Sequence, residues 1–205
     1  YIEVGGTTPL IKFEFIIKKY YPDFNRILKR YGSVQIRNVA TLGGNMATAS
    51  PIGDSLPLLL SLDASIAIES FNKKMVMPLK DFFTGYRKTM LKKGQFIRSI
   101  RIPIFNKNIF KAYKISKRID DDISSVCASF NLAIVNKKIK NIKIAYGGMA
   151  ATPKRAVYCE KILLNSNFSE DIILKAQKSL EKDFQPIDDM RASKDYRLEI
   201  AKNLL

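Results

Sequence analysis

The 205-residue sequence has no histidine, only two cysteines and far fewer acidic than basic side chains. Without imidazole the chain can build neither a Ser-His nor a Cys-His nucleophile pair, and no histidine metal site. We therefore assign no catalytic residue and no metal ligand, and expect any chemistry to rest on a bound cofactor or on carboxylates, Lys, Tyr and Ser. Cys127 and Cys159 are too few for a four-thiolate iron–sulfur or zinc centre and too far apart for a CxxC pair, so both read as packed free thiols. No apolar run approaches the roughly 18–20 residues that span a bilayer, and no signal peptide opens the sequence. We expect a soluble, cytoplasmic protein with no membrane partner. The chain begins at Tyr1, and Tyr1-Ile2-Glu3-Val4-Gly5-Gly6 reads as a strand entering a turn, which suggests a piece of a longer protein.

What is abundant is positive charge. Thirty-five Lys plus Arg against 19 Asp plus Glu leave a formal charge of +16, enough to attract nucleic acid or an acidic partner. The basic residues are spread over nearly every segment, however, and no RNP, zinc or helix-turn-helix pattern accompanies them. A solvated surface is the preferred reading, with a basic nucleic-acid-binding module as the alternative of another class.

Apolar spacing predicts a helix opening at Pro9, capped by Thr8 and carrying Leu10, Phe13, Ile17 and Tyr20. Pro22 should stop it, and Asp23 should cap a second helix that ends at Gly32. A short helix buried on all sides is expected from Ser55 to Leu62, then strands at 64–69 and 74–77 turning at Asn72-Lys73. An aromatic and basic loop at 82–89 and a strand at 95–102 follow. A boundary at 103–108 separates this half from a regular alternation beginning at Ser124, which predicts a half-buried strand. A partner strand with Ile142, Ile144 and Tyr146, and a third at 110–117, would complete an antiparallel sheet covered by helices on one face. Two helices opened by Ser169 and Ser193 supply the cover.

The stretch Gln35 to Asp54 has a different character. It packs Gly43-Gly44, Thr41, Asn45, Thr48, Ser50, Pro51 and Asp54 between apolar residues, which reads as a backbone-lined ligand loop rather than a strand or a core helix. Paired glycines let a backbone approach a bulky anion, and successive N–H groups in such a turn favour phosphate. Thr41, Asn45, Thr48 and Ser50 add neutral donors, and Asp54 is placed to accept from sugar hydroxyls.

The string Ile36-Arg37-Asn38-Val39-Ala40-Thr41-Leu42-Gly43-Gly44-Asn45, continued by Ala49-Ser50-Pro51-Ile52-Gly53-Asp54, closely resembles the second FAD-binding segment of the flavin domain of molybdenum hydroxylases. Its Ser-Pro-Ile-Gly-Asp ending leans to the xanthine dehydrogenase branch. Further matches in order are Phe82 to Thr89, Phe110 to Lys114 with Arg118 to Ile123, Ala145 to Ala156, and Arg191 to Arg197. The resemblance implies an α+β chain: the C-terminal part of a two-subdomain FAD-binding fold, with a mixed sheet and helices, over residues 1–105. A three-stranded antiparallel sheet covered by helices would follow over 109–205.

It also implies the cofactor, FAD, and its contacts. Tyr31, Gly32, Ile36, Ala40, Gly44, Ala47, Thr48, Gly53 and Asp54 would touch it, and Thr41 and Asn45 would serve the diphosphate. Ile97 and Lys114 fall where the family has contacts near the flavin ring, while Tyr86 and Arg87 fall where NAD approaches. Asp120, Asp121 and Asp122 would belong to a loop that alters charge beside the flavin. The implied relay runs from a molybdenum centre through [2Fe-2S] clusters, both in partner domains or subunits, to FAD and then NAD. Flavin subunits of carbon monoxide, aldehyde or N-heterocycle dehydrogenases are the near alternatives, and an assembly subunit that has lost FAD a more distant one. The family's first FAD loop is expected to be missing here, since Gly5-Gly6-Thr7 leads into Pro9 and a helix and reads as structural. Weak FAD retention by the fragment follows, whereas no nucleic-acid partner does.

Overall fold

The structure, a computed structural model, describes residues 1–205. Strand β1 (Ile2–Gly5) leads through Gly6 to α1 (Leu10–Lys18) and α2 (Pro22–Lys29). Pro22 opens α2 as its first-turn proline instead of only stopping α1, and neither Thr8 nor Asp23 serves as N-cap. Proline lacks the N–H that a first turn leaves unbonded, so the position costs nothing there.

The expected loop at 35–54 is mostly helical: α3 (Val34–Val39) and α4 (Leu42–Thr48) follow directly. Two hydroxyls make these short helices possible, Ser33 accepting from the Ile36 N–H at 3.3 Å and Thr41 from that of Gly44 at 3.0 Å. Ala49 closes α4 in the left-handed region at φ 47°. Helix α5 (Ser55–Ser61) is buried at every residue, as expected.

The first sheet comprises β2 (Ser65–Ser70), β3 (Lys73–Pro78) and, after the small hairpin β4 (Phe83–Gly85) with β5 (Lys88–Thr89), strand β6 (Phe96–Ile102). Its order is β1-β6-β2-β3, and every pairing is antiparallel, where a mixed sheet was expected. The α1–α5 connection from β1 to β2 does join parallel strands, but it steps over β6, which lies between them, so no two neighbours run parallel. The β2–β3 turn falls at Phe71-Asn72, one residue before the expected position.

The second sheet contains β7 (Ile109–Ile115), β8 (Val126–Val135), β9 (Lys138–Gly147) and the two-residue β10 (Lys154–Arg155), in the order β10-β9-β8-β7. It therefore has one short strand more than the expected three. Helices α6 (Val157–Leu163), α7 (Glu170–Asp183) and α8 (Lys194–Leu204) complete the chain. Ser193 caps α8 through the Tyr196 N–H, and α6 was not anticipated.

Strand β8 is buried on both faces from Val126 to Phe130, not half-buried. The helices cover one face, where Val126, Ala128 and Phe130 join Leu180 and Ala201 in a common core. On the other face lies α5 from the first half. The Ser61 and Ser129 hydroxyls meet at 2.6 Å, and Asn131 donates to the Ser61 carbonyl at 3.0 Å. These bonds let a polar strand face be buried, since buried polar groups without partners are costly. Cys127 and Ala145 pack in turn with the first core, so the two halves share a wall.

Candidate functional site

A cleft of ≈ 880 Å³ opens along this seam, near the top of the roughly 300–1,000 Å³ range of small-molecule sites. Helices α3 and α4 form one wall, the Ser50–Asp54 turn the floor, and the β7–β8 connection the opposite rim. Tyr31, Gly32, Ile36, Ala40 and Thr41 line it, as do Gly44, Asn45, Thr48, Gly53 and Asp54. Lys114 reaches it from β7, and Arg87 from the β4–β5 tip.

Three expected residues lie elsewhere. Ala47 is on the exposed side of α4, and Tyr86 stands out at the hairpin tip. Ile97 pairs with Ile68 in the first sheet and is buried in its core. The cleft also takes in Ser33, Val39, Ile52 and Ile123, which the sequence reading passed over. Ser33 carried a signal in its capping position before a short apolar run. Val39 carried none, because an apolar residue left 78% exposed is visible only in the fold. Val39 and Ile36 give the cleft an apolar patch suited to a flat ring face.

Helix α3 is held from behind. The Arg37 guanidinium meets Glu14 of α1 at 2.6 Å and donates to the Gly32 carbonyl at 2.6 Å, both side chains being largely buried. Gly32 itself sits at φ 58°, turning the chain from α2 toward the cleft.

The two glycines of the expected phosphate turn do different work. A Cβ on Gly43 would lie 2.5 Å from the Gly6 carbonyl oxygen, so this glycine permits backbone contact between α4 and the first strand's turn. Gly44 faces the cleft. The run of free N–H groups expected there is not formed: Leu42 N–H donates to the Thr8 carbonyl, Gly43 N–H to that of Gly6, and Gly44 N–H to Thr41 Oγ1. Gly5-Gly6 thereby holds the α4 turn, in keeping with its structural reading.

The donors left over are on side chains. Thr41 keeps its hydroxyl proton, because its oxygen only accepts from Gly44. Asn45 accepts from Ser55 Oγ at 2.6 Å and donates to the Tyr31 hydroxyl at 2.8 Å, which leaves one amide proton and the Tyr31 proton. Burial, helped by the nearby Asp54 charge, raises the Tyr31 pKa and keeps that proton in place. Thr48 instead spends its proton on the Gly44 carbonyl at 2.9 Å.

Asp54 and Lys114 form a buried pair at 2.8 Å, with side-chain exposures of 5% and 2%. Asp54 is thus a counter-ion rather than a free acceptor for sugar hydroxyls, its other oxygen accepting from Ser124. Lys114 also donates to the Arg30 carbonyl at 2.8 Å. One of its three ammonium protons then has no acceptor in the chain. Neutral hydroxyl and amide donors on one wall, an apolar patch beside them and a single buried cation fit an extended ligand rich in oxygen acceptors and carrying a flat ring. FAD meets that description.

The two thiols play no part. Cys127 donates weakly to the Asp54 carbonyl oxygen at 3.6 Å, and burial pushes its pKa well up. Burial likewise pushes the Cys159 thiol up to about 12. Both are therefore protonated and inert.

Two family models match the chain. Residues 1–105 match the FAD binding domain in molybdopterin dehydrogenase, and residues 111–205 the CO dehydrogenase flavoprotein C-terminal domain. Among relatives, a xanthine dehydrogenase of Emericella nidulans is 32% identical over 199 residues, which cover 90% of this chain and 15% of that protein. The glyceraldehyde dehydrogenase medium chain of Sulfolobus acidocaldarius is 31% identical, over 92% of this chain and 67% of its own length. Among solved structures, a carbon monoxide dehydrogenase chain from Hydrogenophaga pseudoflava superimposes with a TM-score of 0.93 at 23% identity, over 98% of this chain and 71% of that one. That likeness establishes the α+β fold. No helix is long and apolar enough to cross a membrane.

Proposed function

This chain belongs to the family of FAD-binding domains of molybdopterin dehydrogenases, and on that premise we propose that the seam cleft holds FAD at the electron-output end of a molybdenum hydroxylase of the xanthine dehydrogenase branch. The observation that carries the proposal is the set of uncommitted donors on Thr41, Asn45, Tyr31 and Lys114 around one cleft. Thr41 and Asn45 bind diphosphate oxygens. Ile36 and Val39 offer the apolar surface, and Lys114 presents a proton to a ring acceptor. Bound FAD supplies single-electron exchange with iron–sulfur partners and hydride exchange with NAD.

The chain's own part is to orient, to exclude water and to hold charge, and no side chain here is needed as acid or base. Arg87 stands at the cleft edge, on the approach of an anionic dinucleotide. Tyr86 lies beyond the lining, 5.9 Å from the Arg87 guanidinium, and flanks that approach. Two unpaired, buried thiols suit a reducing, cytoplasmic setting. A second reading is the flavin chain of an aldehyde-oxidising enzyme, favoured by the match to a separate medium chain. In either case the hydroxylated substrate binds outside this chain.

The 205-residue chain by itself is proposed to retain FAD weakly and to be inactive, because these diphosphate donors come from one wall only. The test is the visible spectrum of the full-length protein, followed by anaerobic NADH. Flavin absorbance that bleaches with NADH is expected. Absence of flavin overturns the cofactor proposal, and flavin that NADH leaves unbleached overturns NAD as acceptor. Flavin retained by the 205-residue chain after desalting overturns the weak-binding proposal.

A further inference from the structure

Arg30 lies behind the cleft, not in its lining, yet it is the most connected side chain of the rim. Its Nε donates to the Ile119 carbonyl at 2.8 Å, one terminal nitrogen to the Lys114 carbonyl at 3.0 Å, and the other to Ser116 Oγ at 3.1 Å. Its own carbonyl accepts from Lys114 Nζ at 2.8 Å. Lys114 and Arg30 therefore clasp each other reciprocally, and the guanidinium fork spans the start of the 116–123 connection. Ser116 passes the restraint on by donating to the Arg118 carbonyl at 2.6 Å, and Asp122 accepts from the Arg118 N–H at 2.8 Å.

The segment has little else to hold it. Lys117 to Asp121 are exposed, Ile119 at 77%, and Asp121 stands at φ 49°. Beyond the clasp and its internal bonds, one contact leaves it, from Lys117 Nζ to the Met190 carbonyl at 2.9 Å. Asp121, Asp122 and Ile123 nevertheless form part of the cleft lining, as does Arg87. A rim made of an exposed segment keeps a fixed shape only if something rigid grips it, and Arg30 closes α2, which is packed against β7.

We propose that Arg30 is the positioning residue that holds the 116–123 connection in place and so preforms the side of the cleft past which the electron acceptor enters. The proposal rests on the flavin reading of the cleft. Removing the fork leaves the rim to be ordered at each encounter, and that ordering weakens binding of the acceptor without touching the reacting atoms. Lysine in its place keeps the charge but is a point donor, unable to reach three acceptors at once.

The test uses the holoenzyme carrying Arg30→Met, Arg30→Lys or Ser116→Ala, with two readouts. Trypsin can cut this segment only after Lys117 or Arg118, so mass analysis of nicked chains reports its release directly, with or without bound flavin. Steady-state kinetics with NAD separate KM from kcat. Arg30→Met should nick about tenfold faster and raise KM about five- to tenfold, with kcat within about twofold. Arg30→Lys and Ser116→Ala should fall between it and wild type, and they carry the test if Arg30→Met does not fold. Unchanged nicking and KM in the folded variants would overturn the proposal, as would a lowered KM, which would make the segment a barrier rather than a wall. A wild-type enzyme without flavin absorbance would sink the flavin reading instead, while the nicking comparison would still judge Arg30.

Discussion

At the scale of single residues, the Asp54–Lys114 pair is where charge is most costly. A buried ion pair contributes little over an apolar pair, but breaking it strands an uncompensated charge at about 3–5 kcal/mol. Lys114→Met should therefore lower the unfolding free energy by about that amount, while adding Asp54→Asn should restore part of the loss. Urea unfolding of the three proteins checks the ordering, and additive losses would contradict it. The role of Lys114 was legible only through the resemblance. Lys111 and Lys114 sit in one apolar-polar run, and nothing local says which faces water. Helices α2 and α5, distant in sequence, cover Lys114 and leave Lys111 exposed.

At the scale of elements, α4 shows how a helix can resemble a loop. Its residues are small and polar because one side meets the Gly6 backbone and the other lines the cleft, so its apolar signal shrinks to Leu42 and Met46. This predicts a split between neighbouring glycines. Gly43→Ala forces a Cβ onto a carbonyl oxygen and should cost about 1–3 kcal/mol of stability. Gly44→Ala meets only the Thr41 hydroxyl and should cost less stability but more FAD affinity. Thermal melts with flavin titrations of the full-length protein would decide it, and equal effects of the two substitutions on both quantities would be the contrary result.

The basic residues of helix α2 were taken, with the rest, for solvated surface. Arg26 and Arg30 instead donate to the Ala112 and Lys114 carbonyls of edge strand β7. Four helical residues rise about 6 Å and two strand residues about 6.6 Å, so the spacings match. The guanidinium groups cover an edge that would otherwise invite another strand. Helix α6 escaped notice because its cap is remote: Asp183, at the end of α7, accepts from the Tyr158 and Cys159 N–H groups.

At the scale of the whole molecule, the strands and long helices could be read from period and breakers, but their joining could not. The polar side of β8 looked like a water-facing side because Ser129 and Asn131 meet Ser61 of α5, some 70 residues earlier, and Asn131 also accepts from Asn108 before β7. A chain of residues 1–105 alone should therefore fail to form a native core, since α5 would lose the sheet that covers it. A well-dispersed amide spectrum with a cooperative melt from that segment would contradict this. The cleft draws its walls from both sides of the same joint. A ligand held there at a hundred times its dissociation constant adds about 2.7 kcal/mol to the closed form, and all of that is forfeited when either half lets go. Occupancy thus acts as a rivet through a joint that the two halves already share.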